Sequence, residues 1–112
     1  MTPLHDLAYF FGGLFLSNAV PHYVSGVMGR PFQSPFAKPP GKGLSSSLVN
    51  VLWGCVNLAI AWGLLMRVGA FDLHVPDQAL SFGAGLLLMG IFAAKAFGRY
   101  HGGNTPGALP PA

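Results

Sequence analysis

Asn18, His22 and Ser25 interrupt one long apolar stretch of this chain, and Asn50 and Asn57 interrupt another. Amides, an imidazole and a hydroxyl can exchange hydrogen bonds or coordinate a solute, and a histidine can ligate a metal or a macrocycle. On a helix, Asn18 and His22 are four residues apart and share a face, with Ser25 continuing the stripe. Asn50, Gly54 and Asn57 share one face of a second helix in the same way. Pro21, between the first two polar residues, cannot donate to the carbonyl of Ser17 and predicts a kink there.

If the two stretches fold back on each other as a helical hairpin with equal rise, Asn18 lies level with Asn57, Ser25 with Asn50 and His22 with Trp53. A buried amide without a partner costs several kcal/mol in hydrocarbon, so these groups are expected to face protein or trapped water. The first reading is a hydrogen-bonded clamp between helices. A second is the lining of a path for a small neutral solute, built by oligomerisation. A third makes His22 a ligand for haem or chlorophyll. Enzymatic chemistry lacks its parts: the sequence has no Glu, no HExxH and no CxxC, and its three acids lie outside the long apolar windows. No cofactor and no metal site are expected, and the Gly41-Lys42-Gly43 run lacks the spacing of a phosphate loop.

The elements that must position these residues are set by where charge is missing. Of 112 residues only nine are charged, and they leave uncharged windows at 7–29, 43–66 and 78–94. A helix of about 20 mostly apolar residues crosses a ~30 Å hydrocarbon core, and the third window reaches that length if Lys95 snorkels. The expected fold is all-α: a bundle of three transmembrane helices at about 4–28, 47–67 and 78–97, in one integral domain covering 1–112. Thr2-Pro3 and Ser45-Ser46-Ser47 read as helix starts, and Asp77 as the cap of the third helix.

Between the first two spans, residues 29–46 hold four prolines and several glycines and cannot form a continuous helix. Phe32 and Phe36 set among Arg30, Lys38 and Lys42 suit a loop lying on lipid headgroups. Residues 104–112, with three prolines, read as a disordered tail. Five of the six basic residues fall in the first connection and the C-terminal end, while Asp6, Asp72 and Asp77 fall on the opposite side. The positive-inside bias then gives a periplasmic N-terminus and a cytoplasmic C-terminus, and accounts for the net charge of +3 without nucleic acid. Cys55, the single cysteine, lies within the second span and forms no internal disulfide.

The block from Asn18-Ala19-Val20-Pro21-His22 through Arg30-Pro31-Phe32-Gln33-Ser34-Pro35 to Pro39-Pro40-Gly41 resembles one found in small bacterial membrane proteins. That resemblance implies a multi-pass protein of the bacterial inner membrane and carries over no activity. The expected role is a structural or accessory subunit of a membrane oligomer, with the lipid bilayer and either further copies or other membrane subunits as partners.

Overall fold

Caps and helix-breaking residues set the ends of the helices. In a computed structural model describing residues 2–107, α1 spans Pro3–Val27, α2 Ser47–Met66 and α3 Pro76–His101. The fold is all-α apart from a short ribbon, β1 (Phe32–Gln33) paired antiparallel with β2 (Leu44–Ser45). The Thr2 hydroxyl accepts from the His5 amide at 3.2 Å, and Ser46 accepts from Val49 at 3.2 Å, so both expected caps close an orphan donor. At α3 the expectation fails. Val75 is the N-cap and Pro76 takes the first helical position, which needs no amide hydrogen. Asp77 sits one residue further in, where its charge meets the positive end of the helix. Gly102, with φ of 83°, stops α3 in the left-handed region. Pro21 lies within α1, which continues through it as one helix.

The central helix is α1. α2 and α3 both pack along α1 and scarcely touch each other. Glycines make both seams close: a Cβ on Gly85 would run into the carbonyl oxygen of Phe10, and one on Gly13 into that of Phe82. On the other side, a Cβ on Gly54 would lie 2.8 Å from the Tyr23 amide nitrogen. Small residues therefore bring backbone against backbone along both flanks of α1. Tyr9, wholly buried, meets Phe71 of the α2–α3 connection at 5.0 Å, which seats that connection on the start of α1.

Two helices, α2 and α3, are long and apolar enough to cross a membrane. α1 is long enough, at 25 residues, but Ser17, Asn18, Pro21 and His22 reduce its apolar character. Of the tail, Asn104 turns back to donate its side-chain amide to the Lys95 carbonyl at 2.8 Å. Residues 108–112, the remainder of the expected disordered segment, lie outside the described residues.

Candidate functional site

The polar residues of α1 and α2 converge in the seam between the two helices. Asn18 Nδ2 donates to Asn57 Oδ1 at 3.0 Å, so residues thirty-nine apart in sequence meet at the depth that equal rise assigns them. Asn50, the residue expected opposite Ser25, instead faces His22, with Asn50 Oδ1 2.8 Å from His22 Nδ1. Ser25 points elsewhere: with Ser17 and Pro21 it lines an apolar groove of about 640 Å³ against α3. Equal rise fixes depth along a helix and leaves rotation about it open, and rotation is what separates His22 from Ser25.

Asn50 and Asn57 have no solvent exposure and His22 only 2%. The surroundings of Asn50 determine its orientation. Its Nδ2 donates to the carbonyl oxygens of Phe32, Ser45 and Ser46 at 3.1, 3.2 and 3.1 Å. Three acceptors around one end identify that end as the NH2 group, so the other end is an oxygen and takes its proton from His22 Nδ1. The ring is thereby held as the Nδ1–H tautomer, and Nε2 keeps its lone pair. Asn57 works the same way. Its Nδ2 donates to the Trp53 carbonyl at 2.8 Å, its Oδ1 accepts from Asn18, and among the described residues Asn18 Oδ1 remains an unused acceptor.

Of the loop expected on headgroups, the stretch Phe32-Gln33-Ser34 is folded against the bundle. Phe32 is buried, in contact with Phe97 at 4.6 Å and stacked on His101 at 4.9 Å with an interplanar angle of 9°. The burial of Phe32 has a physical cause: the Asn50 amide requires carbonyl acceptors, and the ribbon supplies them, drawing Phe32 inward. Gln33 and Ser34 follow it. Gln33 Oε1 accepts from His101 Nε2 at 2.7 Å, and the Ser34 hydroxyl pairs with that of Ser45 at 2.6 Å. Arg30, Phe36, Lys38 and Lys42 remain exposed, with Phe36 edge-on to Trp53 at 5.1 Å. Gln33, Ser34 and His101 are site residues that sequence reasoning did not single out. The available signal was an uncharged polar pair, Gln33-Ser34, among prolines and flanked by aromatic residues.

Because α2 and α3 flank α1 and scarcely touch each other, a cleft remains between them. It holds a half-open cavity of about 370 Å³ floored by Asn18 and His22, walled by Trp53 and by Phe92, Ala96 and Phe97, and bordered at one end by the loop. Among the described residues, no three His, Cys, Asp or Glu side chains gather as a metal site. Comparison with protein-family models, with curated proteins and with solved structures gives no match.

Proposed function

We propose that this chain is a three-span integral protein of the bacterial inner membrane and serves as a structural or accessory subunit of a membrane oligomer or complex. In this reading α1, bent at Pro21, is the third span, the N-terminus is periplasmic and the C-terminus cytoplasmic. The observation that carries it is the distribution of apolar surface. Only 6% of the most apolar stretch of α3 is buried, and Leu80, Leu87 and Ile91 stand outward. Such surface is a liability in water and the normal covering of a span in lipid. The polar helix α1 is the one flanked by two others, which shields its amides and imidazole from hydrocarbon. The molecule is 55 Å in its longest dimension, enough for a ~30 Å core and both headgroup layers.

The subunit role follows from the same surface. Each outer helix is covered by α1 on one side only, and the outward face of α2 carries Cys55 and Ala59, small residues against which another helix can pack closely. Native mass spectrometry from membrane vesicles is expected to show an oligomer or a complex with other membrane subunits. A monomer carrying only lipid would overturn the subunit reading. Orientation is tested separately: a reporter active only in the periplasm should be silent after Ala112 and active when inserted near Asp72, and the reverse pattern would refute it.

A further inference from the structure

We infer that the cleft between α2 and α3 binds a small uncharged molecule presenting a planar NH2 group, a carboxamide on an aromatic ring being the class that fits best. This goes beyond the subunit reading and does not depend on it.

The cavity floor carries two hydrogen-bond acceptors one helical turn apart. His22 Nε2 is left with a lone pair because Nδ1 gives its proton to Asn50, whose orientation three carbonyls enforce. Asn18 Oδ1 is left over because its amide nitrogen is held by Asn57, whose own orientation the Trp53 carbonyl enforces. Both residues line the same cavity. Neighbours at i and i+4 carry their Cβ atoms about 5–6 Å apart, so their side chains can serve one ligand group. A planar NH2 group, with its two hydrogens about 120° apart and donor–acceptor distances of about 2.9–3.0 Å, serves two acceptors about 5 Å apart. A hydroxyl has one proton and leaves one acceptor unmet.

The remaining walls narrow the class. No Asp or Glu lines the cavity, so an ammonium ion would enter without a counter-charge against mostly apolar walls. Trp53, Phe92 and Phe97 give it flat apolar sides suited to a ring. On the loop side Gln33 accepts from His101 through Oε1, which leaves its NH2 end as the donor for a ligand carbonyl. Water is the competing occupant. At about 370 Å³ the space exceeds ten waters of ~30 Å³ each, and most of its wall offers water no hydrogen bond.

The test uses the full chain in nanodiscs and fluorine NMR of 4-fluorobenzamide, with 4-fluoroacetophenone as the near-isostere that replaces NH2 by CH3. Empty nanodiscs correct for partition into lipid. Saturable binding of the amide is expected, at least about tenfold tighter than the ketone, because the ketone leaves both acceptors unpaired. Ala96→Leu, which fills the cavity from α3, should abolish it, while Ala93→Leu, lining the other groove, should not. Absence of saturable binding, equal affinity for amide and ketone, or binding that survives in folded Ala96→Leu would each overturn the inference. If Ala96→Leu does not fold, competition in the wild type decides: unlabelled benzamide must displace the probe and acetophenone must not.

Discussion

Replacing Gly85 by alanine should loosen α3 from α1, and the size of the effect can be bounded from the geometry. A Cβ at position 85 points into the carbonyl oxygen of Phe10 and lies 3.0 Å from the Leu14 amide nitrogen. Both obstacles are helix backbone, so no rotamer change relieves them and the helices must separate. Overpacking of this kind costs about 1–3 kcal/mol. Against it stands the intrinsic preference for alanine over glycine in a helix, about 1 kcal/mol in water. Gly83, on the same helix, has nothing within 4 Å of its Cβ position, so Gly83→Ala carries the helix preference alone. The stability difference between the two variants isolates the steric term: Gly85→Ala should be less stable than Gly83→Ala by about 1–3 kcal/mol, roughly 5- to 150-fold in the folding constant. The assay is unfolding of the purified protein in mixed micelles by a rising fraction of SDS, followed by tryptophan fluorescence. Gly85→Ala matching or exceeding Gly83→Ala in stability would mean that α1 and α3 do not approach at this point, and the seam would be wrong.

The other predictions concern the polar network and one connection. Asn50→Leu leaves His22 Nδ1 and the carbonyls of Phe32 and Ser45 without their side-chain partner; it should cost about 3 kcal/mol and speed tryptic cleavage at Lys38 and Lys42 in liposomes, whereas unchanged cleavage would mean that Asn50 does not tether the loop. Asn18→Leu and Asn57→Leu should couple by about 0.6 kcal/mol in a double-mutant cycle, and strictly additive costs would mean that the two amides do not meet. In the α2–α3 connection, the backbone N–H of His74, then its ring, holds the Asp72 carboxyl below its ordinary 3.8. A lowered carboxylate pKa stabilises the turn above the unfolded value and loses that contribution as pH falls through the folded one, so the connection should loosen only in acid below about pH 4. An NMR titration of Asp72 checks this: His74→Ala should move the midpoint part of the way back, and no movement would show that the ring contributes nothing.

The sequence by itself determined the helices and one contact between them. Thr2, Ser46, Pro76 and Gly102 act through local backbone chemistry, so the starts of α1, α2 and α3 are legible within one or two residues; the end of α3 runs four residues past Phe97 because nothing before Gly102 stops it. The match of Asn18 with Asn57 is legible because an antiparallel return and a constant rise fix relative depth. Rotation about the helix axis is not fixed by rise, and only the tertiary structure decided that His22 rather than Ser25 reaches Asn50. Nor does sequence rank three apolar helices in space; glycine contacts on two sides of α1 place it in the middle. The loop shows the same limit most clearly. Basic and aromatic residues in a proline-rich segment indicate an interface, yet Phe32 and Gln33 are buried because the buried amide of Asn50 needs acceptors and the ribbon carbonyl is within its reach. Local preference sets where a helix starts and stops, while a buried polar group is satisfied by whatever the fold brings within about 3 Å, and that is settled only when all the helices are in place.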